Sequence, residues 1–147
     1  MGTEKFIDLK VLDYSISPGP RYCNQGEESG EDFYHKLLNK AFYDAYEQGA
    51  KLRINLDGPD GYASSFLDEA FGNLVYDFTK ELVLKYVQII SDEEPEWIEM
   101  LEQDTYVKWQ TRRVNQSAPK ITKEHEGWYR INNESIENNI WISFSGK

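Results

Sequence analysis

Lys51–Phe78 reads KLRINLDGPDGYASSFLDEAFGNLVYDF, a strand, a turn and a helix entry in quick succession. From Lys51 to Asp57 the residues alternate, with Leu52, Ile54 and Leu56 on one face and Arg53 and Asn55 on the other. That period of two marks a half-buried strand. Gly58-Pro59-Asp60-Gly61 ends it, because proline fixes φ and lacks an N–H donor while glycine reaches backbone angles closed to other residues. Either Ser64 or Ser65 can then cap a helix, and Ser65 would set Asp68 at the third helical position, close to a capping box. Phe66, Leu67, Ala70, Phe71, Leu74, Val75 and Phe78 recur at helical spacing and predict one apolar face. Two serines thus stand where a buried strand hands over to a helix N-terminus.

Upstream, residues 5–16 alternate through Ile7, Leu9 and Val11 and read as a first strand, ended by Ser17-Pro18-Gly19-Pro20. A Gly- and Glu-rich loop containing Cys23 leads to Gly30. Ser29 is placed as the cap of a helix whose buried stripe is Phe33, Leu37, Ala41 and Ala45, with Leu38 and Phe42 beside it, and Gly49 closes it. Downstream, Tyr86–Ile90 reads as a strand, and Ser91-Asp92-Glu93-Glu94-Pro95 as a helix start. That helix is predicted to carry Trp97, Ile98 and Leu101 inward and to end between Gln103 and Arg113. From Val114 the composition turns polar, and two strand-like runs, 128–131 and 140–144, predict a C-terminal hairpin with a bend longer than two residues. Strands alternating with helices predict an α/β fold. The strands alternate instead of being apolar throughout, so helices are expected mostly on one face of the sheet.

The 147 residues include 26 acidic and 16 basic ones, a formal charge of −10. Nucleic acid and anionic membranes need a positive footprint, so neither is an expected partner. No apolar run approaches the roughly 18 residues that span a bilayer, and MGTEKFIDLK lacks the apolar centre of a signal peptide. Cys23 is the single cysteine, which excludes an intrachain disulfide. A reducing cytoplasmic setting is expected.

Chemistry is sparse. Cys23 has no neighbouring histidine, and the acids Glu27 and Glu28 would raise its pKa, so it reads as a bystander thiol. His35 and His125 are tied by spacing neither to a nucleophile nor to a zinc pattern, and the Gly58–Gly61 turn lacks the Lys-Ser/Thr ending of a phosphate loop. No cofactor and no metal are expected. Ile54-Asn55-Leu56-Asp57-Gly58 resembles the strand-end Asp-x-Asp-Gly motif of haloacid-dehalogenase-type phosphohydrolases, but Asn55 stands in the nucleophile's place and an amide cannot form the aspartyl-phosphate. The enzyme alternative is therefore a Mg²⁺-dependent phosphohydrolase using Asp57, with Asp60 and Asp68 as further ligands.

The stretch from Pro18-Gly19-Pro20-Arg21-Tyr22 through Ser29-Gly30-Glu31 to Leu52–Gly72 resembles the STAS-like family of small bacterial and phage proteins. Asp57-Gly58, Gly61-Tyr62, Ser64-Ser65-Phe66 and Glu69-Ala70-Phe71-Gly72 carry the resemblance most specifically. It implies a STAS-like mixed sheet over residues 1–113, with 114–147 as a polar loop and added β-hairpin. That family is similar in turn to anti-sigma-factor antagonists, whose Asp-Ser-Ser-Gly motif lies at the same junction and is phosphorylated on its second serine by a kinase-like partner. Ser64 and Ser65 match the two serines, while Ala63 replaces the Asp and Phe66 the Gly. The resemblance implies a non-enzymatic module that binds a histidine-kinase-like ATPase through Gly61, Tyr62, Ser64, Ser65, Phe66 and Asp68, as a partner switch. A structural subunit of an antiphage or mobile-element complex is the alternative among binding modules.

Overall fold

The computed structural model describes residues 4–141. A three-stranded sheet runs β1 (Phe6–Lys10), β2 (Lys51–Asn55), β3 (Val87–Ile90) in that spatial order. Both pairings are parallel, with Leu9 opposite Ile54 and Ile54 opposite Ile89. The sheet expected to be mixed is therefore parallel throughout, and antiparallel pairing is confined to a separate hairpin. Alternation along β2 is as read: Leu52 and Ile54 are buried, while Lys51, Arg53 and Asn55 are half-exposed. On the polar face Arg53 donates to Asp8 at 2.6 Å and covers the ring of Phe6 at 4.3 Å.

Parallel neighbours need crossover connections. Residues 30–48 form α1 between β1 and β2; α2 (Ser64–Phe78) and α3 (Lys80–Tyr86) join β2 to β3; residues 96–114 form α4. The first strand stops at Lys10, short of the expected residue 16. A single helical turn, Val11–Tyr14, follows and buries Val11 completely.

The cap of α1 is as expected: the Ser29 hydroxyl accepts the Asp32 N–H at 3.0 Å. So is its end, where Gly49 takes the left-handed conformation at φ 66°. Its middle differs. Tyr34–Leu38 is a π-helical turn, and one extra residue per turn advances the inward face by one position. Phe33, Leu38, Phe42 and Ala45 are therefore buried, while Leu37 and Ala41 are only half-buried. A second π turn, Leu101–Thr105, interrupts α4. This helix runs on to Val114 and buries Leu101, Tyr106 and Trp109, leaving Trp97 and Ile98 half-exposed.

Around α2 the core closes on all sides. The predicted apolar face is buried, and so is every other residue from Phe66 to Phe78, with α1, α4 and the C-terminal hairpin packed on it. The hairpin is β4 (Trp128–Asn132) against β5 (Ser135–Asn139), with Trp128 opposite Asn139 and Asn132 opposite Ser135. The long bend predicted between the strands is thus itself the second strand. Asn133 and Glu134, at φ 52° and 70°, make a two-residue turn of the twist that suits a hairpin. Ile140 and Trp141 follow β5 instead of forming it, and the rest of the run expected as a strand, 142–144, lies outside the described residues.

The hairpin is fastened to α1 and α2. Tyr129 stacks on Tyr43 at 3.7 Å between ring centres, and Asn39 exchanges two 2.9 Å hydrogen bonds with the Tyr129 backbone. Arg130 donates to the buried Asp77 at 2.6 Å, and the Tyr34 hydroxyl donates to the same carboxylate. Among the described residues no helix is long and apolar enough to cross a membrane.

Candidate functional site

Ligands of open α/β sheets collect at the carboxyl ends of the strands. Here the loops that leave β2 and β3 are stitched together there. Asn55 accepts the Asp57 N–H at 2.8 Å, and the Asp57 carboxylate accepts the N–H groups of Asp92 and Glu93 at 3.0 and 2.9 Å. Glu93 in return accepts the Gly58 N–H at 3.0 Å. The loop after β1 joins them, with Ser17 donating to Asp60 at 3.1 Å. Asp57 and Asp60 thus brace loops, and with Asp68 they do not converge into a ligand group among the described residues.

Tyr62 lies over this edge. Its hydroxyl donates to the Leu56 carbonyl at 2.6 Å, and its half-buried ring meets Phe66 and Trp97 at 6.1 and 6.3 Å. Burial, then the charges of Asp57, Glu94 and Glu93, raise its pKa well above the ordinary value. The helix begins next, with Ala63 as the extended cap and no side-chain hydrogen bond to the first turn. The expected capping role of Ser64 or Ser65 is therefore corrected: both serines lie inside the first turn. Phe66 is fully buried against Phe33, and the helix starts one residue ahead of a Ser64 cap and two ahead of a Ser65 cap. Ser64 is exposed and Ser65 half-exposed, and every other residue of α2 is buried.

Behind them α2 carries four buried polar residues, Asp68, Glu69, Asn73 and Asp77. Arg21, from the Pro18–Tyr22 loop, closes on the first two at 2.8 and 3.0 Å. Thr105 and Trp109 donate to Asp68 at 2.9 and 3.2 Å, and Lys108 stands 3.2 Å away. Burial alone would raise the pKa of Asp68, but the bonds from Arg21, Thr105 and Trp109 outweigh it and hold the group below its usual range. At Glu69 burial prevails over Arg21 and Asn73, and the pKa rises. Asp68 is thus the stronger counter-ion of Arg21. Close approach explains Gly30 in the same region, since a Cβ there would lie 2.5 Å from the Phe66 carbonyl oxygen.

A second cluster lies at the start of α1. The fully buried Glu31 accepts N–H bonds from Cys23 and Thr122, each at 3.0 Å, and the Thr122 hydroxyl at 2.5 Å, and it contacts His125 Nε2 at 2.8 Å. Burial opposes its charge, yet these partners, His125 foremost, draw its pKa down to about 2. Burial pushes the Cys23 thiol up to about 11, against the hydrogen bond donated by Ser29. His35 stacks on His125 at 4.1 Å and meets Trp128 edge-on. Both His35 ring nitrogens are buried without a partner, and burial together with His125 takes its pKa down to about 3. Cys23, Ser29, Asp32, Lys36 and Lys123 line an open cleft of about 690 Å³ beside this cluster.

Of the residues singled out in the sequence, Gly61, Tyr62, Ser64 and Ser65 come together at the carboxyl edge of the sheet. Phe66 and Asp68 belong to the interior behind it. The Glu31 cluster was not anticipated, because Cys23, Glu31 and His125 come from three separated segments and no local spacing links them. Arg21 was visible only as part of a resembling stretch.

Residues 29–97 match the family model described as a STAS-like domain of unknown function (DUF4325). No curated protein and no solved structure matches the chain. The matched segment holds α1, β2, α2, α3 and β3, whereas β1, the Arg21 loop, all but the first two residues of α4 and the hairpin lie outside it.

Proposed function

We propose, from the premise that residues 29–97 are a STAS-like domain, that the protein is a non-enzymatic cytoplasmic interaction module. It docks a protein partner through the strand-to-helix junction around Gly61, Tyr62, Ser64 and Ser65. The observation that carries this reading is the exposure of Ser64 and Ser65 on a helix otherwise buried from Phe66 to Phe78. Neither serine caps that helix, so a charged group can be added to either one without removing a cap. Helix N-termini tolerate negative charge, since free N–H groups and the positive end of the dipole face it.

The partner proposed is a histidine-kinase-like ATPase, and phosphate on Ser64 or Ser65, near −2 at neutral pH, is the switch that repels it. With the helices mainly on one face of the sheet, the partner meets the carboxyl edge and not the open face of Asp8, Arg53 and Gln88. The test isolates the tagged chain from its native host, with mapping of phosphate and of bound proteins, beside Ser64→Asp and Ser65→Asp. Phosphate on either serine and an ATPase lost from both Asp variants support the reading. Unmodified serines with the same partners on all three chains overturn it.

A further inference from the structure

We infer that Cys23, Glu31 and His125 form a binding site for a borderline-soft divalent ion of the zinc class, with its fourth position open to the adjoining cleft. The donor set comes first. One sulfur, one imidazole nitrogen and one carboxylate oxygen suit Zn²⁺, and three protein ligands with an open position is the pattern of a site that also takes water or a small ligand. The thiol, the carboxylate and the ring nitrogen of these three lie within 4.8 Å of one another. Tetrahedral coordination at bond lengths of about 2.0–2.3 Å places such atoms roughly 3.3–3.7 Å apart. The cluster must therefore contract by about 1 Å at its widest, and the 2.8 Å contact between Glu31 and His125 must open slightly.

The surroundings are those of a held ligand set. The backbone N–H groups of Cys23 and Thr122 and the Thr122 hydroxyl fix the Glu31 carboxylate, the kind of outer support that orients metal ligands. The Ser29 hydroxyl points at Cys23 Sγ at 3.4 Å, which favours a thiolate. The His35 ring, with both nitrogens buried and unpartnered, lies 16° from the plane of His125 and holds that imidazole in place. Cys23 is half-exposed to the cleft, so an ion has a path to it. On binding, the Cys23 thiol gives its proton to water, and the proton that His125 Nε2 shares with Glu31 moves to Nδ1 or to water so that Nε2 presents its lone pair; proton release accompanies entry of the ion. The ion also joins the loop before α1 to the polar loop before β4, which Glu31 and the bond from the Asn24 N–H to the Thr122 hydroxyl already hold together.

The test uses the full chain, freed of metal with a chelator and titrated with Co²⁺, followed by displacement with Zn²⁺. The expected result is one ion per chain, a sulfur-to-cobalt charge-transfer band, and a higher melting temperature with Zn²⁺. Cys23→Ser should abolish the band, and His125→Asn should weaken binding by about tenfold or more. Both variants avoid the buried Glu31, whose loss endangers folding, and their metal-free melts confirm that they fold. No charge-transfer band in the wild-type chain, or affinity unchanged in either variant, overturns the site. These readouts involve no protein partner, so they are independent of the switch proposed at Ser64 and Ser65.

Discussion

Trp109 packs directly over Gly72: a Cβ at that glycine would overlap the Cε2, Nε1 and Cδ2 atoms of the indole. The ring cannot simply retreat, because it is buried and its Nε1 donates to Asp68. In an open helix Gly→Ala gains about 1 kcal/mol from propensity. Here overpacking should reverse the sign, and Gly72→Ala should lose about 2 kcal/mol in urea unfolding. The pair Gly72→Ala with Trp109→Phe should lose less than the sum of the two single changes. A stabilised Gly72→Ala would show that the helices can separate freely.

Ser29 and Ser65 should part company in the same assay. Ser29 caps α1 through its hydroxyl, so Ser29→Ala should cost about 1 kcal/mol. Ser65 caps nothing, and Ser65→Ala should stay within about 0.5 kcal/mol of wild type. Equal losses at the two positions would contradict the Ala63 cap.

Asp68 should leave an acid signature. Its pKa is lowered in the folded chain, so its contribution to stability is present above the ordinary value of 3.8 and is lost as the pH falls through the lower folded value. Asp68→Asn should therefore cost about 2 kcal/mol at neutral pH, the scale of a hydrogen-bonded charge. The deficit should shrink only below the ordinary carboxylate range. Urea midpoints of both chains against pH provide the check, and a constant gap would refute the assignment.

Asp77 should behave in the opposite sense. Burial raises its pKa in spite of Arg130 and Tyr34, so protonation favours the folded chain. Arg130→Ala strands this carboxylate and should cost about 3 kcal/mol at neutral pH. The loss should already be declining while the pH is still above 3.8, the ordinary Asp value, and Asp77→Asn added to Arg130→Ala should recover part of it. A pH-independent loss would mean that Arg130 acts through packing alone, over the rings of Tyr76 and Trp141.

Elements with strong local signals were legible in the chain. β2 shows its alternation, α2 its apolar spacing, and α1 both of its ends in Ser29 and Gly49. What escaped depends on partners distant in sequence. The π turn at Tyr34–Leu38 exchanges Leu37 for Leu38 inside the core, and no spacing announces it. The hairpin turn uses Asn133-Glu134 in place of Asn-Gly, and β5, SIENN, has little strand propensity of its own. The apolar Ile140–Phe144 run competed for the assignment. At the junction, composition named the serines, but Ala63 and not a serine is the cap. Three ligand-type residues at 23, 31 and 125 meet only once the chain is folded.

The enclosure of α2 bears on how the chain acquires its structure during synthesis. The helix is complete once Phe78 has been made, but Thr105, Trp109 and Arg130, which cover its polar side, leave the ribosome later. Until then, of their partners, Asp68 has only Arg21 and Asp77 only Tyr34, and the groove at Gly72 is vacant. The sheet and its central helix therefore wait on the last third of the chain, a long-range closure of the kind that slows folding. A nascent chain halted before Arg130 would present that unfinished helix to chaperones and proteases.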